Sequence, residues 1–305
     1  MKQKKTLQDL SLIDNFLFGA MMTDPDVGIP FSRKLIKLIL GKEIADIQIT
    51  PQKVFYGVDT DMHGARLDVY IEETVNPDGQ TEEMAQIIED DSSIFDIEPE
   101  KNHDTISVEG LPKRVRFYHA KIDAGNLTAG DTYGSLRNVI VIFITTYDPF
   151  GLNRMVYTIK NRCIEVPELE YEDGAQTIFL YTRGREGNPP EELKQLLHYM
   201  EHSSIENAST ENLKKLHRMV TAVKRDGEVG LAYMKSFERE ERIRRQGEEE
   251  GRKAGLEEGK KEGLEEGIIK LSRKLGKEDT EILSLLQEEL QIGEGQAKRI
   301  LEKYQ

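Results

Sequence analysis

Two short stretches carry acids at alternate positions: Arg66-Leu67-Asp68-Val69-Tyr70-Ile71-Glu72 and Phe95-Asp96-Ile97-Glu98-Pro99-Glu100-Lys101. Period-two alternation predicts a strand for each, because successive side chains of a strand point to opposite faces. Leu67, Val69 and Ile71 are then expected on one face of the first strand, with Asp68, Tyr70 and Glu72 on the other. In the second strand Phe95 and Ile97 oppose Asp96, Glu98 and Glu100. If the two strands pair, carboxylates from distant segments meet on one sheet face. Their repulsion calls for a positive group among them, and a hard divalent cation with oxygen ligands meets that need.

The elements that must position these acids follow from the surrounding sequence. Residues 7–22 have the apolar spacing of an amphipathic helix, with Asp14 inside it, and a second helix is expected over about 30–41 before Gly41. An extended segment, Ile47 to Tyr56, leads through the turn signal at Asp61-Met62-His63-Gly64 into the Asp68 strand. Asp59, Asp61 and His63 have ligand chemistry, although a turn explains them equally. Residues 76–92 are expected to form an exposed acidic insertion with a short helix near 82–88.

Pro112 opens a helix predicted over 112–126, whose Arg114, Tyr118 and Lys121 recur at i, i+4 and i+7. Such a face beside acids suits a phosphate, which Arg contacts bidentately. An ordinary solvated face accounts for the same residues. Val139-Ile140-Val141-Ile142-Phe143-Ile144 predicts a strand buried on both faces at the sheet centre. Further strands are expected at 155–159 and 176–182, and helices at 191–202 and 212–226. His198 and His202 have paired-ligand spacing but no accompanying acid motif.

The ordered set Arg66-Leu67-Asp68-Val69-Tyr70, Asp96-Ile97-Glu98, Leu111 to Tyr118, Val141 to Ile144 with Tyr147-Asp148-Pro149-Phe150, and Arg154 to Tyr157 resembles the PD-(D/E)XK nucleases. More narrowly it looks like the recombination-promoting (Rpn) group, also described as PD-(D/E)XK nuclease family transposases, over about residues 10–240. The resemblance implies an α/β restriction-endonuclease-like core, a mixed central sheet flanked by helices, with a C-terminal helical tail. It implies a Mg2+- or Mn2+-dependent hydrolase of DNA, tied to DNA recombination. Asp68, Glu98 and Glu100 would be metal ligands, and Lys101 would join them in catalysis. Arg114, Tyr118 and Lys121 would contact phosphate. One departure matters: the third motif position, Lys or Gln in the family, is Glu100 here, with Lys101 one residue later. A catalytically silent interaction protein on the same fold is the alternative that departure opens.

Composition limits the rest. With 42 Lys and Arg against 56 Asp and Glu, the formal net charge of −14 disfavours an indiscriminate polyanion binder but not a metal-assisted nuclease. Cys163 is the only cysteine, which excludes an internal disulfide; it is expected in a strand as a structural thiol. The basic start Met1 to Lys5 is followed by no apolar stretch, and no run reaches 18 apolar residues, so a cytoplasmic protein off the membrane is expected.

From Phe237 glycines recur every fourth residue, at 247, 251, 255, 259, 263 and 267, between charged residues. Expected domains are therefore 1–236 (nuclease-like), 237–267 (a charged Gly-repeat helical linker) and 268–305 (a small helical module). Homo-oligomerisation through the tail is expected.

Overall fold

The computed structural model describes residues 5–44, 46–56, 63–74, 92–101 and 110–304. Expectations for Asp59, Asp61 and the insertion at 76–91 lie outside these residues. The described chain divides into two units, Met1–Tyr233 and Met234–Gln305.

The first unit is α/β, with a mixed six-stranded sheet. Its strands are β1 (Asp46–Phe55), β2 (Ala65–Thr74), β3 (Ser93–Glu100), β4 (Asn138–Thr145), β5 (Val156–Lys160) and β6 (Ala175–Tyr181), in the order β1-β2-β3-β4-β6-β5. β3, β4 and β6 run parallel, while β1 to β3 form an antiparallel meander and β5 returns antiparallel to β6. The run at Val139 to Ile144 becomes β4, inside the sheet and buried throughout. Its two faces feed two cores. Ile140, Ile142 and Ile144 join the first core, and Val139, Val141 and Phe143 the second.

Helices cover both faces. The first core is closed by α1 (Asn15–Thr23), α2 (Gly28–Leu40), α4 (Glu191–Glu201) and α5 (Glu211–Arg225); the second by α3 (Leu111–Asn126). Gly41 stops α2 in the left-handed conformation at φ 69°, as a C-terminal glycine does. Residues 7–22 are not one helix. A short turn of helix at Leu7–Asp9 precedes α1, and Asp14 is the residue just before α1 rather than inside it. Its carboxylate accepts the Ser11 N–H at 2.7 Å, the local competition that draws Asp to helix starts. Cys163 lies beyond the end of β5 rather than in a strand, with its thiol 3.6 Å from Glu165.

The second unit contains the later part of α6 (Gly227–Lys274), then α7 (Asp279–Leu290) and α8 (Glu294–Lys303). Ile269, Ile282, Leu286, Ala297 and Leu301 form its own core. The Gly-repeat segment is continuous helix, and the division between units falls inside α6, at Tyr233/Met234. Ion pairs four residues apart, such as Arg244–Glu248 and Lys253–Glu249, run along it. Among the described residues no helix is long and apolar enough to cross a membrane.

Candidate functional site

The acids meet where β2 and β3 part. Ladder pairing runs from Glu72 opposite Ile94 to Val69 opposite Ile97. At the next position the strands have separated, and the backbone N–H of Asp68 donates to Glu98 Oε1 at 2.7 Å. Pro99 lies just past the last residue of β3 paired to β2, where a missing ladder N–H is tolerated. The parting also breaks the expected alternation of β2. Leu67 shares the second core with Tyr70, three residues on, whereas Val69 and Ile71 enter the first. Across the β1–β2 ladder, Gln52 has a φ of 53°, a local kink at the same level.

Asp68 is held from two sides. Asn15, at the start of α1, donates to its Oδ2 at 3.0 Å, and Gln52 donates to Oδ1 at 3.2 Å. Glu98 is 2% exposed and Asp96 fully buried, an unusual place for two acids. Arg114, in the first turn of α3, reaches into the cluster. Its Nη2 lies 2.9 Å from Glu98 Oε2, and its Nη1 lies 3.3–3.4 Å from both oxygens of Glu100. Its Nε donates to the Tyr118 hydroxyl at 2.8 Å, and the guanidinium lies over the rings of Tyr118 and Phe143.

These residues come together: Asp68, Glu98, Glu100, Arg114 and Tyr118. The other two expected cations point elsewhere. Lys101 Nζ binds both oxygens of Asp14 at 2.9 Å. Lys121, although on the expected helix face, reaches the Tyr56 carbonyl at 3.4 Å and the Phe117 ring. A four-carbon stem lets each lysine take the nearest oxygen. His63 is exposed, and His198 on α4 stacks edge to face with His202 just past its end.

The electrostatics record an excess of negative charge. Burial raises the Asp68 carboxyl above its ordinary range, opposed by the Gln52 hydrogen bond and by Arg114. Burial, then the Asp68 charge, pushes Glu98 up to about 7 despite Arg114. Burial also raises Glu100. Tyr118 is pushed up to about 12, by burial and then by Glu98. Asp96 is raised well above the ordinary carboxylate range, by burial and then by Glu98. Neither of its oxygens receives a donor from the described residues. Burial and the nearby Glu98 charge, two residues along the same strand, favour its neutral form. Sequence reasoning placed Asp96 on the face of Glu98 but gave it no role. Its signal was position, an acid opposite Tyr70 inside the ladder, two residues from the rim.

The donor chemistry fits a hard divalent cation, which one or two carboxylates plus water suffice to hold. Asp68 and Glu98 would supply those oxygens, and the buried Asp96 carboxyl, without a donor, lies two residues from Glu98 on β3. No group of three or more His, Cys, Asp or Glu closes into a ready cage among the described residues. Arg114 is the cation in contact with Glu98 and Glu100 in this structure. Glu98 and Glu100 lie at the carboxyl end of β3 beside that of β4, the end at which α/β sheets place ligands.

Comparison with family models, with curated proteins and with solved structures gives no match for this chain.

Proposed function

We propose that this chain is a Mg2+- or Mn2+-dependent endodeoxyribonuclease with a PD-(D/E)XK-type core, of the recombination-promoting kind. One observation carries the reading: a cluster of acids, Asp96 and Glu98 buried and Asp68 and Glu100 half-buried, with a single guanidinium in contact among the described residues, at the place where two strands separate. Structural clusters rarely bury acid without matching cations, whereas sites built for cations do so.

Asp68 and Glu98 are the residues that would hold the divalent cation, which when bound lowers the pKa of water and offsets charge on a phosphate. Asn15 and Gln52 fix the Asp68 carboxylate, and the Asp68 N–H fixes one oxygen of Glu98. Arg114 is the phosphate contact, with Tyr118 orienting it through Nε. Lys101, tied to Asp14, orders the rim. The test is nicking of supercoiled plasmid with Mg2+ or Mn2+ by wild type and Asp68→Ala. Cleavage by wild type alone supports the reading; equal background from both proteins sinks it.

A second reading, a catalytically silent interaction protein, is favoured by one specific feature. Arg114 already compensates Glu98 and Glu100, and Glu100 stands where the family has Lys or Gln. In that reading the protein works through self-association of the second unit.

A further inference from the structure

The guanidinium of Arg114 and a divalent cation need the same oxygens. Glu98 Oε1 is taken by the Asp68 N–H, so Oε2, at 2.9 Å from Arg114 Nη2, is the oxygen left for another ligand. Two positive groups on one carboxylate oxygen repel strongly when the surroundings are buried. Arg114 has room to leave, since 27% of its side chain is exposed against 3% for Glu98. It also has a pivot, since the Tyr118 and Phe143 rings, 5.1 and 5.2 Å away, are attractive to it whichever way its fork points. Lys101 is no substitute counter-ion, because Asp14 holds it with both oxygens.

We propose that Arg114 is a displaceable internal cation: it guards Glu98 and Glu100 in the resting protein, and a divalent metal ion taking the Glu98 carboxylate releases it to bind phosphate. Metal and phosphate then bind cooperatively, and the coupling is reciprocal. The inference rests on the metal-site reading above, and it assigns that site an order: cation first, phosphate second. Free guanidinium N–H pairs suit phosphate oxygens bidentately, and those pairs become free only when the carboxylates are otherwise satisfied.

The test uses the full chain and two probes, Mn2+ alone and inorganic phosphate, read by isothermal titration and by the Mn2+ electron paramagnetic resonance signal. Wild type should bind phosphate about 5- to 10-fold more tightly with Mn2+ present, within the usual range of coupling. Arg114→Gln should bind Mn2+ about ten-fold more tightly than wild type and lose the phosphate coupling. The inference is overturned if Arg114→Gln, folded by circular dichroism, binds Mn2+ no more tightly, or if its phosphate coupling persists, which would mean direct coordination to the metal. If the variant fails to fold, the wild-type coupling decides: its absence overturns the inference. Mn2+ binding by Arg114→Gln but not by wild type supports the guard while removing the nuclease reading. Wild-type binding that Arg114→Gln weakens does the reverse. No binding by either protein overturns both.

Discussion

Glu98 Oε1 accepts the backbone N–H of Asp68 at 2.7 Å, thirty residues away in the chain, at the position where the ladder would otherwise have continued. A side chain thus replaces a backbone carbonyl as the partner of β2. That substitution ends the pairing and sets two acids side by side, so the separation of the strands and the charge of the site have one origin.

Glu98 makes stability depend on pH in a definite direction. Its folded pKa, about 7, lies above the ordinary carboxylate value of 4.5. The folded state therefore binds more protons than the unfolded chain between those values, and stability falls as pH rises from 4.5 to 7. The shift corresponds to on the order of 3 kcal/mol. Thermal melts from pH 4.5 to 8 should show this decline, and Glu98→Gln should flatten it. An unchanged slope in the variant would assign the decline to other groups. Mg2+ should raise the wild-type melting temperature most at the alkaline end, where the acids are ionised.

Glu100 stands where the PD-(D/E)XK pattern that the sequence resembles carries Lys or Gln. Glu100→Gln removes one of the acids held by Arg114 while keeping the shape of the side chain. We expect Mg2+-dependent nicking to rise about ten-fold, equivalent to about 1.4 kcal/mol of barrier. A fall of that size instead would make Glu100 a metal ligand.

Lys101 should couple to Asp14 rather than to Glu98. A double-mutant cycle of Lys101→Ala and Asp14→Ala, followed by denaturant unfolding, should give an interaction of about 0.5–1.5 kcal/mol for this partly buried pair. A cycle of Lys101→Ala with Glu98→Gln should give less. The reverse ranking would put Lys101 among the acids.

The proposed self-association of the second unit would use exposed leucines. Leu264 and Leu271, one heptad apart on α6, and Leu275, just past its end, are each more than half exposed, while Ile269 turns into the unit's own core. Sedimentation equilibrium of the full chain should show a dimer or larger that Leu264→Lys/Leu271→Lys dissociates without loss of helical signal. A monomeric wild type would remove this expectation.

Where local chemistry dominates, the sequence reads directly. The six apolar residues of β4 leave no polar face, Gly41 stops a helix, and Pro112 starts one. The alternating patterns predict that Asp68 and Glu98 meet, and they do, but at the point where the alternation of β2 breaks and through the Asp68 N–H. Leu67 could not be placed, because its orientation depends on the loss of pairing beyond Val69, a tertiary event with no local signature. Asp14 has helix-compatible neighbours on both sides, and only the Ser11 N–H and Lys101 draw it out as a cap. Asp96 looks on paper like any outward acid of a half-buried strand. The second core, built partly from α3, encloses it. The destinations of Lys101 and Lys121 were illegible for the opposite reason: long flexible stems choose among oxygens that only the folded chain supplies.

The glycines of α6 have a consequence of their own. A methyl group added at 247, 251, 255, 259, 263 or 267 would touch nothing within 4 Å. No packing among the described residues therefore requires their absence of a side chain, yet each weakens the helix by roughly 0.5–1 kcal/mol relative to alanine. This span should open ahead of the sheet, exchanging its amide hydrogens quickly and admitting proteases first. Alanine at these six positions should slow both processes.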